Sequence, residues 1–157
     1  DPERAPEPKE IFEIGMGQAE GNRVAAIEAY RQLGEVAGDA LAQALTLVDG
    51  LVVVGGGLSS AWPLFLPALI AAVNGTYSAN GLRLLVPLVF DLQNPADLEL
   101  FLRGDARQVQ VGTSSRMMAF DSMRRTGVGL SRLSTTLAVA VGARAFALQQ
   151  LDKMKEK

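Results

Sequence analysis

The chemistry open to this chain is bounded by two absences: its 157 residues include no histidine and no cysteine. That excludes the usual general base near neutral pH, the commonest metal ligand, thiolate zinc sites and disulfides. Carboxylates, hydroxyls, arginine, lysine and the main chain remain. The most distinctive pattern among these belongs to the main chain, in Leu51-Val52-Val53-Val54-Gly55-Gly56-Gly57-Leu58-Ser59-Ser60. It reads as a short strand, a glycine turn and the start of a helix. Without a Cβ, glycine reaches backbone angles closed to other residues and lets another molecule's atoms approach the main chain. A helix that follows aims its first N–H groups and the positive end of its dipole at the same space, which suits an anion such as phosphate. Gly55, Gly56, Gly57, Leu58 and Ser59 are therefore the candidate binding residues. The same glycines also fit plain tight packing of strand on helix. Ser59 and Ser60 either cap the helix or reach a ligand oxygen.

Other residue types give weaker patterns. Asp39, Asp49, Asp91, Asp97, Asp105 and Asp121 are the aspartates available as bases or metal ligands, and none has a partner at a spacing that specifies chemistry. Asp49 before Gly50 suits a turn, and Asp97 suits an early helical turn. Arg116, Arg124, Arg125 and Arg132 form a loose basic group around Thr126-Gly127-Val128-Gly129-Leu130, readable as a phosphate or partner contact or as scattered solvated charges. Met117, Met118 and Met123 read as packing residues.

The elements that must position these groups follow from periodicity. A short helix is expected over Lys9-Glu10-Ile11-Phe12-Glu13-Ile14, ending near Gly15 or Gly17. A long helix follows Gly21-Asn22, with an apolar face of Val24, Ile27, Tyr30, Leu33, Ala37, Leu41, Ala44 and Val48. Gly34 and Gly38, four apart, would let a neighbouring element come close. Leu51–Val54 is a strand buried on both faces of a mostly parallel sheet. A helix from about Ala61 to Val73 carries Pro63 in its first turn and stops at Asn74-Gly75. Leu82–Phe90 reads as a strand that Pro87 places at an edge or bulge. Asn94-Pro95-Ala96-Asp97 begins a helix through Phe101, closed by Gly104-Asp105. Gln108–Val111 and Arg116–Phe120 pair as a hairpin about Gly112-Thr113-Ser114. A last helix runs from near Ser134 to Leu151 with Leu137, Val141, Ala145 and Leu148 on one face, and residues 152–157 form a charged, fraying tail. This alternation predicts a layered α/β domain with its ligand outside the carboxyl ends of the strands.

Composition sets the remaining bounds. With 48% hydrophobic and 20% charged residues the chain folds around a core, and its length suits one domain or one lobe of a larger protein. A net charge of −2 and a pI near 5.2 give no basic surface for nucleic acid. The uncharged stretch between Asp49 and Arg83 is long enough to span a bilayer, but Gly55-Gly56-Gly57, Pro63 and Pro67 break it, so no membrane role is expected. The polar opening to Pro8 shows no signal-like run, and a cytoplasmic location is expected.

Three segments together carry a family resemblance: Ala37-Gly38-Asp39-Ala40-Leu41-Ala42, then Val52–Ser59, then Ala138-Val139-Ala140-Val141-Gly142-Ala143-Arg144-Ala145-Phe146-Ala147-Leu148. The chain resembles the C-terminal lobe of a ROK-family sugar kinase of the bacterial glucokinase type, over about residues 11–151. Residues 1–10 are left as a linker or chain scar. The resemblance implies an actin-like ATPase (ribonuclease H-like) lobe: a mixed, mostly parallel sheet flanked by helices, here with a β-hairpin insertion. It implies ATP with Mg2+ as cofactors, held beside Gly55, Gly56, Gly57, Leu58 and Ser59. It implies as partners an N-terminal lobe of the same kinase and a sugar substrate, with glucose inferred from the type. Gly142-Ala143 would allow close helix contact near the interlobe hinge. The family's phosphate loop, its Asp general base and its His/Cys zinc motif have no counterpart here, and Arg144 stands where an apolar or aromatic residue is expected. No catalytic residue is assigned, and the isolated chain is expected to bind nucleotide weakly and to be inactive. The alternative is a non-catalytic sugar- or nucleotide-sensing lobe of a ROK-family transcriptional regulator. Self-association into a homo-oligomer through exposed interlobe surface is a further expectation.

Overall fold

A computed structural model describes residues 5–76, 81–82, 85 and 87–155. Helix α1 (Pro8–Gly15) begins inside the segment read as a linker, with proline in its first turn. Helix α2 (Arg23–Leu47) is capped by the Asn22 side chain, which accepts a hydrogen bond from the Ala25 N–H at 3.1 Å. The buried face of α2 is Ala26, Tyr30, Gly34, Gly38 and Ala42. The expected apolar stripe is therefore only partly inward: Tyr30 is core, and Ala37 and Leu41 pack against it, but Val24, Ile27, Leu33 and Val48 are exposed. Small residues won that face because helix α3 (Trp62–Val73) lies against it at backbone distance. A Cβ on Gly38 would stand 2.6 Å from the Leu69 carbonyl oxygen and 2.7 Å from Ala72 Cβ, and Gly34 is as tightly faced by α3.

Strands β1 (Val52–Val54), β2 (Leu88–Asp91) and β5 (Arg125–Leu130) form a parallel sheet in the order β1-β5-β2. Its core side packs Val89 and Val128 against Leu66 and Val73 of α3, and Leu66, Val73 and Val128 are wholly buried. The opposite side presents Phe90, which meets Phe101 of helix α4 (Pro95–Arg103) edge to face at 6.0 Å. Val53 on that same side is 67% exposed, so the second face of the sheet is only partly covered. The strand expected over 82–90 is formed at 88–91. Pro87 precedes it, and residues 83, 84 and 86 lie outside the described set. As Pro87 suggested, β2 is an edge strand. Its backbone is met by a side chain: Asn74 Nδ2 donates to the Val89 carbonyl at 2.7 Å, and its Oδ1 accepts from the Val89 N–H at 3.0 Å.

The segment Thr126–Leu130, around which the arginines form a loose basic group and to which the sequence reading assigned no element, lies in strand β5. It is the central strand, and its glycines serve packing: a Cβ on Gly127 would meet Leu92 at 2.7 Å. The hairpin appears as β3 (Ala106–Gln110) paired antiparallel with β4 (Met117–Asp121), Val109 opposite Met118. It stands clear of the core with every strand residue exposed, so Met117 and Met118 do not pack it down as expected. Helix α5 (Thr135–Lys155) continues through most of the segment read as a fraying tail. Its expected inward face of Leu137, Val141, Ala145 and Leu148 is exposed, as is every residue from 135 to 153, and a Cβ on Gly142 would meet nothing within 4 Å. No described helix is long and apolar enough to cross a membrane.

Candidate functional site

The glycine turn sits at the carboxyl end of β1, beside the carboxyl end of the central strand, where the Ser131 N–H donates to the Val54 carbonyl at 2.8 Å. Gly56 takes φ +92°, a conformation that L side chains rarely adopt. Its carbonyl then accepts from the Ser59 N–H at 3.2 Å and the Ser59 hydroxyl at 2.7 Å, which closes the turn into a single 3₁₀ turn over Ser59–Ala61. Ser59 thus neither caps α3 nor points freely at a ligand; its hydroxyl braces the turn. The packing explanation for the glycines holds only at Gly55, where a Cβ would touch Ser131 at 3.5 Å. At Gly56 and Gly57 a Cβ would meet nothing within 4 Å. The main chain there faces open space.

That space is the rim of a cleft of about 540 Å³. Gly57, Leu58 and Ser60 form one wall, and Phe12 of α1 and Tyr30 of α2 form the apolar part of the other. The Tyr30 hydroxyl donates to the Pro8 carbonyl at 2.8 Å, which fastens α1 across α2 and holds the wall in place; burial raises the phenol's pKa. Lys9 and Glu13, 3.7 Å apart, and Gln18 supply polar groups along α1 and its C-terminal turn. An apolar slot with a few polar groups, opening on exposed backbone N–H groups, fits a flat heterocycle carrying an anionic tail. Phe12, Tyr30, Lys9, Glu13 and Gln18 were not singled out from sequence as ligand groups. Their signal was ordinary helical periodicity, and only the fold brings them to the turn.

Several of the remaining candidates have structural partners: Asp39 accepts from the Gln43 side chain at 3.4 Å. Asp97 accepts from the Asp91 N–H at 3.2 Å, and Asp91 from the Gln93 N–H at 2.8 Å. Asp105 pairs with Arg107 at 2.5 Å. Asp121 pairs with Arg125 at 2.5 Å and accepts from the Met123 N–H, and the guanidinium is the main reason its carboxyl lies below the ordinary 3.8. Arg125 also lies 5.7 Å from the centre of the Phe101 ring. Of the arginine group, Arg125 thus has a local structural role. Among the described residues no cluster of His, Cys, Asp and Glu is arranged to hold a metal ion.

These features define an α/β domain with a parallel three-stranded sheet, helices against it and a cleft at the carboxyl end of its first strand. Among solved structures it is similar to the glucokinase from Parabacteroides distasonis, with 44% sequence identity and a TM-score of 0.81 over 94% of this chain. The chain spans 40% of the length of that glucokinase. No family model and no curated protein sequence matches it. The likeness to the glucokinase thus extends to sequence as well as fold.

Proposed function

We propose that this chain is the ATP-binding lobe of a glucokinase-type sugar kinase, belonging to the ROK family and built on the actin-like ATPase fold. The observation that carries the reading is the open glycine turn: a Cβ on Gly56 or Gly57 would meet nothing within 4 Å, and Gly57 borders a cleft with an apolar wall. The likeness to a glucokinase supports the kinase over a regulatory lobe. The base of ATP lies between Phe12, Tyr30 and Leu58, and its phosphates lie along the main chain of Gly55–Gly57, with Mg2+ arriving on the nucleotide. Ser59 holds the shape of the turn. In phosphoryl transfer the protein mainly aligns donor and acceptor and offsets developing charge. This chain supplies the donor side, and the sugar and the base that activates its hydroxyl belong to the rest of the kinase. The full protein transfers the γ-phosphoryl group of ATP to a hexose, with glucose as the first candidate.

The test is calorimetric titration of the chain with Mg-ATP and Mg-ADP, repeated with Gly57→Val. Gly57 is the better probe than Gly56, because a side chain at Gly56 strains the turn whatever the ligand does. The expected result is binding by the parent and at least a tenfold loss in a folded Gly57→Val variant. Equal affinity in parent and variant, or no binding by the parent, would overturn the assignment.

A further inference from the structure

The β3–β4 hairpin stands in water on both faces, with every residue from Ala106 to Asp121 exposed. Two strands by themselves are marginally stable at best, and a third strand or a packed face is what makes such a sheet stable. The register fixes what each face carries. Val109, Met118 and Phe120 share one face with Arg107, and Gln108, Gln110, Met117 and Ala119 share the other. At its base, however, the hairpin is firmly held. The Asp121 carboxylate accepts from the N–H groups of Asp105 at 3.2 Å and Met123 at 3.0 Å and from Arg125 at 2.5 Å, and Arg125 in turn lies over the Phe101 ring. The hairpin is thus an arm rooted on α4 and β5.

The two outer edges of the arm differ. Strand β3 carries Arg107, Gln108 and Gln110, with Arg107 bound to Asp105, whereas β4 reads Met117-Met118-Ala119-Phe120 before its first charge at Asp121. Charge, proline and bulges are what keep an edge strand from pairing, and β4 has none of them from Met117 to Phe120. The Val111 N–H donates to the Arg116 carbonyl at 2.9 Å. Alternation along an antiparallel ladder then turns the main-chain groups of Met118 and Phe120 toward β3 and those of Met117, Ala119 and Asp121 outward. A second β4 strand, run antiparallel about a two-fold axis at Ala119, meets all three: Ala119 faces its own copy, and Met117 faces Asp121 of the second copy. Met118 then stands directly opposite Phe120 of the second copy, in the closer, non-hydrogen-bonded type of pair. A thioether against an aromatic ring is a favourable contact, and the symmetry forms it twice. The edge is its own complement, no charge meets a like charge, and the polar β3 edges are left outside, so the assembly closes at two copies.

We propose that this chain pairs with a second copy of itself edge to edge, β4 on β4 about Ala119, making one four-stranded antiparallel sheet across the two-fold axis. The pairing uses neither the interlobe surface on which self-association is expected from sequence nor the cleft, which other elements line. It does not rest on the kinase reading. The five residues of β4 span roughly 17 Å of edge. Such a contact is well below the roughly 800 Å² per partner of a stable interface, so the dimer is weak and forms with rising concentration.

The experiment is sedimentation equilibrium of the 157-residue chain from micromolar to millimolar concentration, with Met118→Lys, Phe120→Glu and the two combined. Either single change sets a charge against an apolar partner and should weaken the dimer at least tenfold. The double variant sets lysine opposite glutamate twice and should recover to within about threefold of the parent. Because the chain holds no cysteine, Ala119→Cys gives an independent readout: Cα atoms of a hydrogen-bonded antiparallel pair stand ~5.5 Å apart, within disulfide reach. Mild oxidation should join Ala119→Cys into a covalent dimer and leave Gln108→Cys, on the β3 edge, unjoined. A parent that stays monomeric throughout, a dimer indifferent to the single changes, a double variant no better than either single one, or equal cross-linking at both positions would overturn the proposal.

Discussion

Replacing Gly38 by alanine sets two opposed effects against each other. Alanine is a better helix former than glycine by about 1 kcal/mol, so on propensity alone Gly38→Ala should stabilise α2. The added Cβ would, however, stand 2.6 Å from the Leu69 carbonyl oxygen and 2.7 Å from Ala72 Cβ, about 0.8 Å inside ordinary contact. Both obstacles belong to the α3 backbone or its stub, so no side-chain rotation relieves them and the helices must separate. A gap of that size forfeits a quarter to a half of each affected dispersion contact. The seam carries Phe65, Leu69 and Val73 as well as Tyr30. Overpacking of this kind costs about 3 kcal/mol, which leaves a net loss of about 2 kcal/mol. With a urea dependence of about 2 kcal/mol per molar, the unfolding midpoint should drop by about 1 M at unchanged slope. Gly142→Ala, in the open, serves as the control and should not lower the midpoint. A Gly38→Ala midpoint equal to or above the parent's would show that the α2–α3 seam is not close-packed, and the positioning of Tyr30 derived from it would go too.

Two further outcomes can be checked on the same material. Asn74→Leu removes both hydrogen bonds that serve Val89 and should cost about 2 kcal/mol in urea unfolding, with increased aggregation because the β2 edge is uncovered. The Asp121 carboxyl, depressed chiefly by Arg125, contributes stability that is present above its unfolded value of 3.8 and lost as pH falls through its lower folded value. Asp121→Asn should therefore flatten the decline of stability below about pH 4; Glu28, lowered to about 2 by Arg31, acts with the same sign and should account for part of the remaining slope.

Local signals marked most elements of this domain. Caps, prolines and glycines placed α1 to α4, the Val52–Val54 strand and the hairpin, because each depends on neighbours in sequence. The misreadings share a tertiary cause. Residues 125–130 carry an arginine and two glycines, a poor strand by propensity, yet pair on both sides as the central strand, where Gly127 leaves room for Leu92. On α2 the close approach at Gly34 and Gly38 was legible and is borne out, whereas Val24, Ile27, Leu33 and Val48 were misplaced inward because periodicity counts only apolarity. At the site, the turn was legible and its far wall was not. Phe12 and Tyr30 reach Leu58 only after α1 is fastened across α2 by the Tyr30 hydroxyl. Asn74 was read correctly as a helix stop, while its second task at the sheet edge lies fifteen residues away and leaves no local trace.

The position of β5 between β1 and β2 has a consequence for biosynthesis. Its partners are made first, yet β1 and β2 do not pair with each other. Thr126 bonds back to the Gly50 carbonyl across 76 residues. The sheet therefore cannot close until the chain has been synthesised past residue 130, and until then two short apolar strands wait with open edges. At roughly 5–20 residues per second, the interval between completing β1 and completing β5 is on the order of 4–15 s. During that time the α2–α3 pair, with α1 fastened to α2, is the main long-range structure among the described residues available to shelter them. The nascent chain should thus depend on chaperone binding most strongly when its length lies between these two strands, and ribosome-bound intermediates arrested there should be far more prone to aggregate than those arrested after Leu130.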